Sequence, residues 1–337
     1  MKISVIVPIY NVQDQLKNSL NSLLKQSFNN FEVIMVNDGS TDSSQKIAQK
    51  FDERDARFRL YTTQNQGLAA ARNEGLKYIH GEIVFFMDAD DQIAPNLFDA
   101  IIKRFELNPE LDVIHFSYSE IDHSLTKINK SKLESFESIA GKEALVKLMD
   151  VKLQPTAWAY ISRRKVIENN NLRFSKGRLF EDENFNAKLL SNAKQVGIMK
   201  FESGPYYYLV EKRENKLMYQ IMQHKNMVQF NDRLFITNDE YMYLDENKSV
   251  NTTYLNRWYL TKLIWIYNYY FSDLHNAHSE DFKKLKKKIS KEYSQNKGNL
   301  LLRQKVQYLK VKNVPFYYTM QLVKQVADIF RQKSKKL

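Results

Sequence analysis

The sequence predicts an α/β protein: a mostly parallel sheet with helices on both faces, followed by a separate α-helical domain. Through the first 120 residues, short apolar runs rich in β-branched and aromatic side chains alternate with segments at helical spacing, as buried parallel strands with crossover helices require. From about residue 216 long helical segments take over. The 337 residues are 43% hydrophobic with only 9 Gly and 6 Pro, which is enough apolar material for two cores. The expected domains are 1–215 and 216–337, with the polar stretch 211–216 as linker.

The apolar runs 3–7, 31–36 and 82–87 read as strands, each ending in turn-forming polar residues. Leu16, Leu20, Leu23 and Leu24 recur at i, i+4, i+7 and i+8 and place a helix after the first strand; 68–79, built from good helix formers, places another before the third. Sheets of this kind bind ligands outside the carboxyl ends of their strands. In the second domain Leu260, Leu263, Ile264, Tyr267 and Tyr270 keep helical spacing. Segment 258–271 is apolar nearly all round, so it is expected to be buried in its own domain or against another subunit, as in a homo-oligomer.

Composition narrows the function. Cysteine is absent, which excludes disulfides, thiolate zinc sites and a cysteine nucleophile and fits a reducing cytoplasm. No apolar stretch reaches the ~20 residues that cross a bilayer, and the opening segment carries a Pro and lacks a small-residue cleavage site. Spanning and secreted proteins are both disfavoured. The net charge of +12 sits in the tail, where 281–337 holds 16 Lys+Arg against 3 Asp+Glu while 1–280 holds 35 against 36. Such a tail suits anionic lipid headgroups or nucleic acid, or is a solvated helix face. No nucleic-acid-binding motif accompanies it, so lipid is the better partner.

Four segments fall where ligands are expected. Asn37-Asp38-Gly39-Ser40-Thr41-Asp42 is a strand-to-helix turn in which Asp38 either meets a ligand or closes an Asx turn. Asn65-Gln66-Gly67 leads through Ala69, Ala70 and Ala71 to Arg72-Asn73; small residues permit close approach, and Arg72 either reaches a base or diphosphate or makes a structural Arg–carboxylate pair under close helix packing. Asp88-Ala89-Asp90-Asp91 puts three carboxylates after a hydrophobic strand. A hard cation such as Mg2+ or Mn2+ would offset that repulsion, the alternative being a solvated turn with Asp91 capping the next helix. Phe180-Glu181-Asp182-Glu183 sets acids against aromatics, which suits either a general base or an acid-rich helix N-terminus.

These segments, with Val5-Ile6-Val7-Pro8-Ile9-Tyr10-Asn11, resemble in order and spacing the bacterial family 2 glycosyltransferases of the GT-A fold. The resemblance runs over roughly 200 residues. It implies a UDP-sugar donor, a glycan acceptor that is lipid-linked or protein-linked, and Mn2+ or Mg2+. It places Pro8 and Tyr10 in the nucleobase pocket, with Asp38 accepting from the base and Arg72 beside the nucleotide. Asp88 would lie near the ribose, Asp90 on the metal, Asp91 behind it, and Asp182 would be the catalytic base of a single inverting displacement. Arg213 stands where relatives carry a diphosphate-facing Arg, although the Ser that usually follows is missing. His224 just beyond could add a metal ligand or be an ordinary surface residue. Residues 154–164, with Trp158, Tyr160, Ser162 and Arg163, offer either a sugar-facing wall or core packing.

Two other readings compete. A nucleotide-sugar pyrophosphorylase would carry a Gly- and Arg-rich loop after the first strand, where this chain has Pro8-Ile9-Tyr10-Asn11. A non-catalytic basic membrane adaptor would need decayed acidic sites, and here they are intact. The expected location is cytoplasmic, peripheral to the inner face of the membrane where Lys283, Lys284, Lys286, Lys287, Lys288 and Lys291 supply charge and Phe282, Leu285 and Ile289 anchor the helix.

Overall fold

The computed structural model describes residues 1–121, 128–209 and 224–312. The chain forms two compact units, Met1–Tyr219 and Gln220–Leu337, so the division falls four residues beyond the one expected from composition.

The first unit opens with β1 (Ile3–Ile9), β2 (Phe31–Asp38), β3 (Phe58–Thr63) and β4 (Ile83–Phe86), all parallel in the order β3-β2-β1-β4. Every residue of β1, β2 and β4 is buried, which explains why they read as continuous apolar runs. After β5 (Gln92–Ile93) come β6 (Leu111–Phe116), β7 (Tyr118–Ile121), β8 (Leu133–Ala140), β9 (Tyr160–Arg163), β10 (Gln195–Phe201) and β11 (Tyr206–Leu209). The main sheet continues past β4 as β9-β6-β10-β8, with β9 and β8 antiparallel to their neighbours. A second, three-stranded sheet has the order β5-β11-β7.

Helices α1 (Gln13–Leu24), α2 (Ser44–Arg54) and α3 (Leu68–Gly75) connect the parallel strands. The last ends four residues short of the predicted 79. Gly75 has no side chain because a Cβ there would lie 2.5 Å from Ile6 Cγ2 of β1. The chain then tightens through bonds from Lys77 N–H to the Glu74 carbonyl and from Tyr78 N–H to the Gly75 carbonyl, the i to i+3 pattern that closes helices. Further on lie α4 (Leu97–Leu107), α5 (Gly141–Met149), α6 (Arg164–Asn169) and α7 (Glu181–Asn192).

The amino ends of the strands are fixed by one carboxylate. Glu32 accepts from Lys2 Nζ (2.6 Å), the Ser4 hydroxyl (2.5 Å) and the His80 N–H (2.6 Å). Burial pushes this carboxyl up, but those donors outweigh it and bring it down to about 2.

The second unit contains α8 (Met227–Glu246), α9 (Thr252–Leu274), α10 (Ser279–Asn296) and α11 (Leu302–Lys312). Asn226 and Asn251 cap the first two, accepting from the N–H groups of Gln229 (3.0 Å) and Tyr254 (3.2 Å). The apolar segment 258–271 lies in α9 and is largely buried within this unit: Leu260, Leu263, Ile264, Tyr267 and Tyr270 are covered, while Trp265 remains 44% exposed. Phe282, Leu285 and Ile289 of α10 are buried as well, Phe282 among the rings of Phe230, Tyr267 and Phe271. They anchor α10 to its own unit. Among the described residues no helix is long and apolar enough to cross a membrane.

Candidate active site

The carboxyl ends of β1 to β4 lie side by side, and each delivers a polar turn. Tyr10 follows β1 and is 47% exposed, an open ring beside the buried Pro8. Asn11 adopts a left-handed backbone (φ 50°). Its side chain accepts from the Thr41 N–H at 2.8 Å while its own N–H donates to the Ser40 hydroxyl at 3.2 Å. The first and second strand-end loops are thus laced together.

Asp38 ends β2 and is buried. Its Oδ2 accepts from the Gly67 N–H (2.7 Å) and its Oδ1 from the Gln66 N–H (2.9 Å) and the Thr63 hydroxyl (3.2 Å). The carboxylate therefore organises the loop after β3. Gly39 beside it has φ 69°, and a Cβ there would sit 2.9 Å from the Asn65 nitrogen, so only glycine lets the two loops meet.

Arg72 on α3 is 2% exposed. Its Nη2 pairs with Asp88 Oδ1 at 2.9 Å and its Nη1 with Glu181 Oε1 at 2.8 Å, and the guanidinium lies 5.2 Å from the centre of the Phe174 ring. One buried cation joins the acidic loop after β4 to the acidic start of α7. The adjacent Asn73 supports this from below, exchanging two hydrogen bonds with the backbone of Phe174 (2.8 and 2.9 Å).

The acidic loop is graded in exposure. Asp88 and Asp90 are part-exposed, whereas Asp91 is fully buried. Asp91 does not cap α4, which begins at Leu97; it accepts from the Tyr206 hydroxyl at 2.7 Å. Burial, and then the negative charge of Asp91, push the Tyr206 hydroxyl well above its ordinary value.

Helix α7 starts from Phe180 in a left-handed conformation (φ 64°), which turns Glu181, Asp182 and Glu183 into its first turn. Glu181 is buried against Arg72. Asp182 keeps part of its surface open and accepts from the Glu183 N–H at 2.9 Å. Burial and the charge of Glu181 push its carboxyl up to about 8, against the pull of Arg72. A carboxylate that holds a proton this readily suits proton abstraction.

Other expected residues are placed elsewhere. Trp158, Tyr160 and Ser162 are core: Trp158 stacks on Tyr206 at 4.4 Å, Tyr160 donates to the Gln154 carbonyl, and all three are buried. Arg163 donates to the carbonyls of Leu111 and Pro109. Of the two uses expected for this stretch, Trp158, Tyr160 and Ser162 take core packing. His224 is exposed, and among the described residues no group of three His, Asp or Glu is arranged to hold an ion. Arg213 lies outside the described residues. Sequence reasoning assigned no role to Tyr206 and Glu181; an acid directly before the candidate base was the only local signal for the second.

A parallel β3-β2-β1-β4 sheet with its polar loops gathered at the carboxyl ends of its strands defines an open α/β protein of the kind that binds ligands there, and Arg72 bridges two acidic clusters at that end. The chain belongs to glycosyltransferase family 2: residues 4–171 match the family described as Glycosyl transferase family 2. EpsJ, an uncharacterized glycosyltransferase of Bacillus subtilis (strain 168), is 32% identical over 217 residues, covering 63% of this chain and 61% of EpsJ. Glycosyltransferase GlyA of Streptococcus pneumoniae serotype 4 is 32% identical over 220 residues, 63% of this chain and 31% of GlyA. The chain thus matches less than two thirds of the length of these relatives. In fold it is similar to residues 1–349 of S. aureus TarS in complex with UDP-GlcNAc, with a TM-score of 0.62 and 21% identity over 92% of this chain and 79% of that one. The fold is GT-A followed by a helical unit.

Proposed function

We propose that this chain is an inverting glycosyltransferase that moves a sugar from a UDP-sugar to a hydroxyl of a glycan acceptor. One observation carries the reading: Arg72 joins Asp88, on the donor side, to Glu181, the neighbour of the raised carboxyl of Asp182. Charge stabilisation and proton removal, the two tasks of such a transfer, fall to two clusters held in fixed relation. The UDP-GlcNAc complex of TarS supports a UDP-sugar as donor.

In this account Tyr10 and Pro8 line the base pocket, with Asp38 accepting from the base through the lone-pair capacity its three loop bonds leave. Asp88 meets the ribose and Arg72 keeps its carboxylate in place; a role for Arg213 at the diphosphate rests on the family resemblance alone. Asp90 offers a hard oxygen donor at the strand end, which fits Mg2+ or Mn2+, ions that take one or two carboxylates and complete their shell with phosphate and water. When bound there, the ion would neutralise charge on the leaving diphosphate. Asp182 removes the acceptor proton as the acceptor oxygen bonds to the anomeric carbon. The bond from that carbon to the phosphate oxygen breaks, and UDP leaves.

The test is a UDP-release assay with Mn2+ across a panel of UDP-sugars and glycan acceptors. Release above the acceptor-free rate with one donor supports the reading and names the sugar. Formation of UDP-sugar from a sugar phosphate and UTP would instead make the chain a pyrophosphorylase, and no turnover with any donor would favour an adaptor.

The acceptor's location belongs to the same proposal. On α10, Lys283, Lys284, Lys287 and Lys291 are exposed and fall within one 100° arc of the helix. Lys288 turns inward instead, donating to Asn238 Oδ1 at 2.8 Å, and burial lowers its ammonium. A lysine face of this kind would hold the enzyme at the anionic inner surface of a membrane, near a lipid-linked acceptor, at about 1 kcal/mol per residue that reaches the surface. Co-sedimentation with phosphatidylserine vesicles should be strong at low salt and fade as salt rises. Changing those four lysines to Gln should abolish it; equal binding by parent and variant would leave a protein-linked acceptor, or assembly through the exposed side of α9, as the better use.

A further inference from the structure

The turn that carries Asp88, Asp90 and Asp91 is held from outside the main sheet. β11 pairs with β5, just beyond the turn, so that Tyr206 stands opposite Ile93. The Tyr206 side chain is fully buried. Its ring lies flat on Trp158, with centroids 4.4 Å apart and planes 6° apart, and meets Phe85 of β4 edge-on at 6.3 Å. This packing fixes where the phenol oxygen stands. The hydroxyl donates to Asp91 Oδ2 at 2.7 Å and accepts from the Asp88 N–H at 3.3 Å. The turn itself closes by a bond from the Asp91 N–H to the Asp88 carbonyl at 3.2 Å. One hydroxyl therefore grips both ends of the four-residue turn on which Asp90 sits.

We propose that Tyr206 is a positioning residue for the donor loop, setting the orientation of Asp90 and Asp88 through its paired bonds to Asp91 and the Asp88 backbone. The inference rests on the reading that these two acids serve a metal and a UDP-sugar, and goes beyond it by assigning their geometry to a strand of the smaller sheet. Three carboxylates in one turn repel one another, and without the phenol the turn can open to separate them. Groups that orient metal-binding carboxylates from behind are typically worth 10–100-fold in metal affinity.

Tyr206→Phe keeps the ring and its stack and removes only the grip. Titrating full-length protein with Mn2+ in the presence of UDP, followed by calorimetry and by electron paramagnetic resonance of free Mn2+, should show affinity weakened about 10–100-fold. In UDP release, KM for the donor should rise more than kcat falls. Asp91→Ala breaks the same bond from the other side and carries the test if Tyr206→Phe does not fold. The double variant should lose little more than either single change, as expected for residues acting through one contact. Parent-like Mn2+ and UDP affinity in a folded Tyr206→Phe or Asp91→Ala, with only a lowered Tm, would reduce Tyr206 to a packing residue and overturn the inference alone. Parent protein that binds no UDP with or without Mn2+ would overturn the donor reading and the inference with it.

Discussion

Asp182→Asn is expected to lower turnover by roughly 10²–10⁴-fold, the usual worth of a general base, or about 3–5 kcal/mol of transition-state stabilisation. The substitution keeps volume and leaves the Glu183 N–H an acceptor, so α7 should begin as before. What it removes is the ability to take a proton. Because Asp182 is not one of the strand-end residues assigned to the donor and Arg72 contacts the acidic turn and Glu181 rather than Asp182 itself, UDP affinity should change little. Kinetics would then show kcat and kcat/KM falling together, and an equal loss of UDP affinity would place Asp182 in the donor pocket instead. The parent should also show an acidic limb in kcat/KM. The base works only when deprotonated, and burial beside Glu181 raises its carboxyl to about 8, so activity should climb with pH into that range rather than levelling by ~pH 6, where an exposed carboxylate is almost fully ionised. A flat profile from pH 5 to 9 would remove the raised carboxyl from the mechanism.

Asp90→Ala is expected to abolish measurable transfer. Asp90 lies at the centre of the acidic turn and keeps part of its surface open, while Asp91 is buried against Tyr206 and Asp88 is engaged by Arg72. Neither neighbour can replace it without giving up a buried partner, which costs about 1–3 kcal/mol or more for a charged group. UDP binding that depends on Mn2+ in the parent should lose that dependence in the variant. Full activity of Asp90→Ala in the presence of EDTA would take the metal out of the account.

The fold class and the strand-end placement of the polar turns were legible in the sequence because they follow from short-range rules. A run such as Ile3 to Ile9 that is buried on both faces has to be apolar wherever no partner waits for a polar group, and in β1 the one polar residue, Ser4, donates to Glu32. The end of α3 and the inward turn of Lys288 were not legible. Gly75 is demanded by Ile6, from another element, and Lys288 is captured by Asn238, fifty residues away. Trp158 and Tyr160 stayed open between two uses for a related reason: an aromatic has the same chemistry on a sugar and in a core, and only its neighbours decide which it serves.

The sequence by itself determined the α/β class, the helical second unit, the membership of glycosyltransferase family 2 and the four segments from which a site could be assembled. Periodicity, turn chemistry and motif spacing are properties of neighbours along the chain, and a single sequence displays them directly. Tertiary structure alone decided how those segments act on one another. Arg72 reaches Glu181 across 109 positions, and Tyr206 reaches Asp91 across 115. The strength of such pairs depends on distance and on the exclusion of water, because the same charges that interact weakly in solution interact strongly when buried. Both conditions exist only after β4, α3, α7 and β11 have come together, so the bridge between the acidic clusters and the clamp on the donor loop belong to the fold and to no segment of it.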